Sequence, residues 1–175
     1  MTTVISNVEG KKYNIIRRLG CGAFAVVYLC SSEGNSDVPC VIKEIILRGL
    51  TDDEKLGAKL EAELLGELDH ACIVGLHESF QKENVLYIVM EHCNGGDISD
   101  LIQKQQNLKK KSKLPDELNF FQEHMILTWF IQIALGVRYI HRKNILHRDL
   151  KTKNIFITGD NIIKLGDFGI SKVCM

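Results

Sequence analysis

Twelve residues near the C-terminal end, Ile145 to Phe156, read ILHRDLKTKNIF and place three polar side chains of different chemistry close together. Asp149 offers a carboxylate that can orient a hydroxyl. Lys151, two residues on, offers an ammonium that can meet a transferring phosphate. Asn154, three further on, offers an amide oxygen to a hard cation. A purely structural loop rarely needs all three. Asp167, in LGDFGIS, supplies a second oxygen ligand of the same hard kind.

Two further groups could serve that chemistry. The string Leu19-Gly20-Cys21-Gly22-Ala23-Phe24-Ala25-Val26-Val27 puts two glycines between strand-like runs. A dinucleotide fingerprint would need a helix next, so that reading is excluded. Bare backbone at Gly20 and Gly22 would let amides approach phosphates closely, although a plain hairpin turn is the better account of a lone G-x-G. Lys43 closes the apolar run Cys40-Val41-Ile42, where an ordinary strand-end lysine is the simplest account. Its weight comes from Glu61. That carboxylate shares a helical face with Leu65 and Leu68, whereas Glu63 and Glu67 lie off the face. An ion pair between Glu61 and Lys43 would hold the ammonium toward a phosphate.

These side chains need elements to position them. Tyr13 to Leu19, Ala25 to Cys30, Val38 to Leu47, Ile73 to Phe80 and Val85 to Met90 read as five strands. Thr51-Asp52-Asp53-Glu54 starts a helix with a cap and an acidic first turn, and Leu56, Leu60, Leu64 and Leu68 form its stripe. Asn94-Gly95-Gly96 marks the boundary between an N-terminal part, 1–93, and a C-terminal part, 94–175. A short helix is expected over Asp97 to Gln105. The basic run from Asn107 to Lys113 could be a docking patch, but a solvated loop is the better reading. A long helix spans Glu123 to Arg142, with Leu127, Phe130, Ile131, Ala134 and Leu135 on one face and Trp129 marking a second side. Ile155 to Ile157 and Ile162 to Leu165 flank Thr158-Gly-Asp-Asn161 as a hairpin.

Composition narrows the function class. Lys plus Arg and Asp plus Glu are both 22, which argues against a nucleic-acid binder. Cys21, Cys30, Cys40, Cys72, Cys93 and Cys174 form no C-x-x-C pair, so zinc is not expected. Neither a signal peptide nor a run of about 18 apolar residues occurs, so no membrane span is expected and a reduced, cytoplasmic setting is.

The order of these motifs resembles that of the protein kinases: glycine loop, Lys43, Glu61, His147-Arg148-Asp149, Asn154 and Asp167-Phe168-Gly169. The resemblance runs from about Tyr13 to Lys172. Lys151 after HRDL marks the serine/threonine branch, and HRDLKTKNIF with LGDFGIS is similar to the NIMA-related kinases. The resemblance implies an α+β bilobal fold: an N-lobe of a five-stranded antiparallel sheet plus one helix, and a partial, mainly helical C-lobe. It implies ATP and Mg2+ as cofactors and a protein Ser/Thr hydroxyl as substrate. Lys43 would bind the α- and β-phosphates and pair with Glu61, Asp149 would orient the hydroxyl, and Lys151 would steady the γ-phosphate. Asn154 and Asp167 would hold magnesium. The nucleotide would be lined by Leu19, Gly20, Cys21, Gly22, Ala23, Phe24, Ala25, Val27, Val41, Met90, Glu91, Cys93, Asp97 and Phe156. Met90 would be the gatekeeper, Glu91 and Cys93 the hinge, and Asp97 the ribose contact. Leu65, Leu76, His147 and Phe168 would form the family's stacked spine. Nuclear, centrosomal or ciliary locations are open by the same resemblance.

Three motifs depart from the family pattern. Ala25 replaces the third glycine of the loop, Val41 replaces the usual alanine before Ile42-Lys43, and His70-Ala71-Cys72-Ile73 replaces HPNI. The chain also ends six residues after Gly169, where a kinase continues into its activation loop and further helices. Two readings are open: the N-terminal portion of an active kinase, or a non-catalytic nucleotide-binding or dominant-negative fragment that pairs with the full-length enzyme or its regulators. In either case the long helix lacks cover for its apolar face, so the chain alone is expected to be marginal or aggregation-prone. A light-scattering and thermal-melting series checks this, and a sharp monomeric melt well above body temperature would contradict it.

Overall fold

The computed structural model describes residues 4–22, 24–33, 38–111, 121–169 and 171–173. It forms two compact units, one of 1–68 with 75–92 and one of 69–74 with 93–175.

The first unit is a six-stranded antiparallel sheet with one helix on it. Its strands are β1 (Val4–Ser6), β2 (Lys12–Cys21), β3 (Ala25–Ser32), β4 (Pro39–Ile46), β5 (Leu76–Lys82) and β6 (Val85–Glu91), in the order β1-β2-β3-β4-β6-β5. Alternation along β4 sorts its residues. Cys40 and Ile42 join Tyr13, Cys30, Phe80 and Val89 in a buried cluster on one face. Val41 and Lys43 therefore point to the other face, where Lys43 lies between Val27 and Ile88 in register.

Apolar runs in the sequence predict five strands for this sheet; β1 is the sixth. Only three residues long, it shows no periodicity of its own and is held by contacts made just beyond its C-terminal end. Asn7 donates to Glu78 Oε2 at 2.8 Å, the Tyr13 hydroxyl donates to Glu78 Oε1, and Lys11 Nζ lies 3.2 Å from the same carboxylate. Burial works to raise the Glu78 carboxyl, but the bonds from Tyr13, Asn7 and Lys11 outweigh it and hold it below its ordinary value. The expected strand from Ile73 begins instead at Leu76, because Ile73 bridges in parallel to Leu165 of the second unit's own sheet.

Helix α1 (Asp52–Gly66) starts where its cap dictates. Thr51 Oγ1 accepts from the Glu54 amide and Glu54 Oε2 accepts from the Thr51 amide, a complete capping box. The leucine stripe is not its buried face. Leu56 and Leu60 are exposed, and Ala62 and Leu65 are buried, followed by Leu68 beyond the helix. A repeat every four residues advances about 40° past each full turn, so it slides round the helix while the contact with the sheet stays fixed.

The second unit holds α2 (Ile98–Lys111), α3 (Glu123–Arg142), the two-residue strands β7 (Ile145–Leu146) and β10 (Lys172–Val173), and the hairpin β8 (Ile155–Ile157) with β9 (Ile163–Leu165). Helix α2 continues through most of the basic run expected as loop. Lysine is a good helix former, and cations suit a helix C-terminus; Ser112 and Lys113 lie outside the described residues. On α3 the buried side is that of Trp129, Gly136 and Ile140. Trp129 packs with Ile98, Ile155, Ile157, Ile163 and Leu165 and meets Phe121 edge-on at 5.2 Å. Leu127, Phe130, Ile131 and Leu135 are exposed.

Gly136 is where α3 comes closest to the rest of the unit. A Cβ there would lie 2.9 Å from Leu165 Cδ1 and 3.1 Å from the Cys72 carbonyl oxygen. At Gly57, inside α1, an added Cβ meets nothing within 4 Å. Gly136→Val is therefore expected to cost about 1–3 kcal/mol through overpacking. Gly57→Ala should stabilise by about 0.5–1 kcal/mol through helix propensity. Urea denaturation of the two variants beside the parent checks both signs.

Candidate active site

Each unit carries its own set of the residues singled out from the sequence. In the first, β2 and β3 are joined by the glycine hairpin. Gly20 and Cys21 pair with Val27 and Val26, and the Gly22 amide donates to the Ala25 carbonyl at 2.7 Å. Ala23 lies outside the described residues. Leu19 and Phe24 are exposed. Neither glycine is demanded by packing: a Cβ on Gly20 would meet nothing within 4 Å, and one on Gly22 only the Ala25 oxygen at 3.9 Å. Neither sits at positive φ. What glycine does here is leave the backbone bare.

On the same unit Lys43 Nζ lies 2.7 Å from Glu61 Oε1, with 19% and 10% of the two side chains exposed. Helix α1 delivers Glu61 one turn before Leu65, and β4 delivers Lys43 two residues from Val41. Cross-strand pairing places Met90 opposite Val41 and Val27 opposite Lys43, so all four share one sheet face. Glu91 has a structural duty that its sequence neighbours do not disclose. Its carboxylate accepts the Gly75 amide at 2.7 Å while its own amide donates to the Gly75 carbonyl at 3.0 Å. That leaves Glu91 clamping the start of β5.

In the second unit Cys93 is half-buried, and the segment after it runs beside β8. The Gly95 amide donates to Ile157 O, the Ile157 amide to Gly96 O, and Asp97 bridges to Phe156. Asp97 Oδ1 accepts the Asp100 amide at 2.8 Å and so caps the first turn of α2.

The strings HRDLKTKN and GDFG are tied together around His147, which is 2% exposed. Its Nε2 lies 3.1 Å from the Gly166 carbonyl oxygen, and its Nδ1 faces the Asp149 amide at 3.4 Å. A carbonyl can only accept and an amide can only donate. The ring is therefore neutral, with its proton on Nε2. Burial lowers the His147 pKa, with the Gly166 carbonyl, Asp167 and Asp149 opposing in part. Phe168 packs on the ring at 4.8 Å. Ser171 adds two bonds, from its Oγ to the His147 carbonyl at 3.1 Å and from its amide to Phe168 O at 2.9 Å. No local pattern in the sequence hints at this use of Ser171.

Asp149 is held from two sides. Lys151 Nζ approaches Asp149 Oδ2 at 2.6 Å, and Asn154 Nδ2 donates to the same oxygen at 2.8 Å and to the Asp149 carbonyl at 2.9 Å. The Lys151 bond is the main reason the Asp149 carboxyl sits below its ordinary value; Asn154 adds to it. Asn154, 5% exposed, also takes the Gly166 amide on its backbone carbonyl at 3.0 Å, which brings the residue before Asp167 against it. Arg148 and Asp167 both adopt left-handed backbone, φ 69° and 60°, at a cost of about 1–3 kcal/mol each that surrounding contacts must hold in place. Among the described residues no group of three or more His, Cys, Asp or Glu side chains could hold a metal by itself. Asn154 and Asp167 are nonetheless the hard oxygen type that Mg2+ takes in ones and twos when phosphates complete its shell.

The sequence matches the model of the protein kinase domain over residues 13–175. It is 39% identical to human serine/threonine-protein kinase Nek11 over 177 aligned residues, covering 100% of this chain and 26% of that protein. It is 42% identical to human Nek5, covering 93% of this chain and 21% of that protein, and 44% identical to mouse Nek3, covering 92% and 29%. The chain thus spans about a quarter of the length of these relatives. Among the described residues no helix is long and apolar enough to cross a membrane.

The neutral His147 has a pH consequence. Its folded pKa is depressed, so its contribution is fully present above the ordinary value of 6.5 and is lost as pH falls from there through the folded value. His92, lowered by burial and by Arg17, acts with the same sign in the same window. His147→Gln keeps a donor for Gly166 and an acceptor for Asp149 but does not titrate. The variant is expected to melt lower than the parent at pH 7.5 and to lose less stability between pH 7 and 5.5. Parallel melting profiles for the two proteins would contradict this.

Proposed function

This chain belongs to the protein kinase family, and from that premise we propose that it transfers the γ-phosphoryl group of ATP to a serine or threonine hydroxyl of a protein. The observation that carries the proposal is the convergence of Lys151 and Asn154 on Oδ2 of Asp149, at 2.6 and 2.8 Å. Both bonds fall on one oxygen, which leaves Oδ1 to receive the substrate hydroxyl. A carboxyl held below its ordinary range is a weak base, so Asp149 first orients the hydroxyl. Its Oδ1 takes the proton late, as the hydroxyl oxygen bonds to the γ-phosphorus and the bond to the β–γ bridging oxygen breaks. Lys151 would neutralise the transferring group on leaving the carboxylate.

Lys43, oriented by Glu61, would serve the α- and β-phosphates, and the bare amides of the glycine hairpin would be available to them. Val27, Val41 and Met90 give the adenine an apolar surface, with Cys93 and the backbone of Glu91 as its polar edge. Asp97 and Phe156, bridged to each other, would serve the ribose. Asn154 and Asp167 would hold Mg2+, which when bound neutralises charge on the phosphate oxygens. The serine/threonine class is favoured by Lys151 and by the names of the relatives.

The test is incubation of the purified chain with labelled Mg·ATP and a basic protein substrate, beside Asp149→Asn. Transfer is expected from the parent, with a loss of at least about a hundredfold in the variant. A nucleotide-induced rise in melting temperature without any transfer would replace the proposal with nucleotide binding alone.

A further inference from the structure

A cavity of about 460 Å³ opens in the second unit at the C-terminal end of α3, lined by His70, Leu135, Arg138, Tyr139, Arg142 and Lys143. It uses none of the residues assigned to phosphoryl transfer. Three of the six lining side chains are permanent cations and none is a carboxylate. Arg138 and Arg142 stand one helical turn apart on the same side of α3, both exposed, and among the described residues no acidic side chain pairs with either.

The floor is fixed. Tyr139 stacks on His70 with ring centroids 4.8 Å apart, and its hydroxyl oxygen accepts the Asp69 amide at 3.0 Å. His70 Nδ1 accepts the Cys72 amide at 3.0 Å, which leaves Nε2–H as a further donor. Lys143 Nζ lies over the Tyr139 ring at 5.5 Å. Leu135 supplies an apolar wall.

Part of this charge has a simpler use, since cations in a last turn complement the helix dipole. That accounts for Arg142 and Lys143 at the terminus. It does not account for Arg138 a turn earlier, for the concavity, or for the locked aromatic floor. We propose that this pocket docks a phosphorylated peptide segment. The two guanidinium forks and the ammonium would take the phosphoryl oxygens, and Leu135 with Tyr139 would take an apolar neighbour. Paired arginines bind phosphate through charge-assisted, bidentate bonds. An open, shallow pocket lined by six residues with one apolar wall suits one or two side chains of a peptide better than the plane of a membrane.

The test needs no nucleotide, so it stands or falls apart from the catalytic reading. A fluorescent peptide carrying one phosphoserine between apolar residues is titrated into the 175-residue chain, beside the same peptide with serine, inorganic phosphate, and vesicles of phosphatidylcholine with phosphoinositide. The phosphopeptide is expected to bind at least tenfold more tightly than the serine peptide and than inorganic phosphate. Arg138→Gln with Arg142→Gln should weaken it at least tenfold, Arg138→Lys with Arg142→Lys should fall between, and Arg18→Gln, outside the pocket, should leave it unchanged. Both arginines are exposed, and unchanged melting temperatures of the variants will show that folding is intact. Equal binding of the two peptides, or affinity insensitive to the paired glutamine substitutions, would overturn the proposal. Equal affinity for inorganic phosphate, or arginine-dependent capture by the vesicles in preference to the peptide, would overturn its choice of a peptide.

Discussion

The second unit depends on one hydrogen bond, from His147 Nε2–H to the carbonyl of Gly166. It joins two strings that are 19 residues apart in sequence and must lie side by side for Asp149, Asn154 and Asp167 to act together. The bond is buried, so losing it would leave a carbonyl unsatisfied away from water, which costs more than the net worth of an average hydrogen bond. Around it the Asp149 amide, the Phe168 ring and Ser171 each touch His147 or the backbone beside it. Two left-handed residues, Arg148 and Asp167, flank this point. The arginine side chain does not favour this conformation and the aspartate merely tolerates it, so the tie helps to keep both populated.

Within the first unit the pair of Lys43 and Glu61 plays the corresponding part. One partner comes from a strand register and the other from a helix, so the 2.7 Å contact exists only when α1 is seated at its proper rotation. The capping box fixes where α1 begins, and Ala62 and Leu65 fix which side it buries. Removing Lys43 would take the ammonium from beside Glu61, a side chain only 10% exposed. The lysine is therefore held in place by structure that the sheet and helix must both supply.

Much of this was legible in the sequence because the chemistry is local. HRDLKTKN carries its polar residues on one loop, and turn residues announce the β8–β9 hairpin directly. The strands β2, β3, β4 and β6 and the whole of α3 were readable from apolar runs and period. What escaped was set by long-range contact. β1 is too short for a pattern and exists through the Asn7, Tyr13, Lys11 and Glu78 cluster. The leucine repeat of α1 marks the helix but not its buried face, because a four-residue period drifts; the face that Glu61 shares with Leu65 and Leu68 is the one that packs inward, as the sequence indicates. Helix α2 ran on through lysines that charge counting assigned to loop. The roles of Ser171 and of the Glu91 carboxylate depend on partners 24 and 16 residues away, and nothing in their own neighbourhood indicates either.

His147, neutral and with its proton on Nε2, thus holds the HRDLKTKN and GDFG strings in one arrangement, and every role proposed for Asp149, Asn154 and Asp167 rests on that state. Nitrogen-15 NMR of the imidazoles at pH 7, with His147 assigned by loss of its signals in His147→Gln, tests this directly. The expected result is a protonated Nε2 in slow exchange with solvent and an unprotonated Nδ1. A charged ring at that pH, or a proton residing on Nδ1, would contradict it.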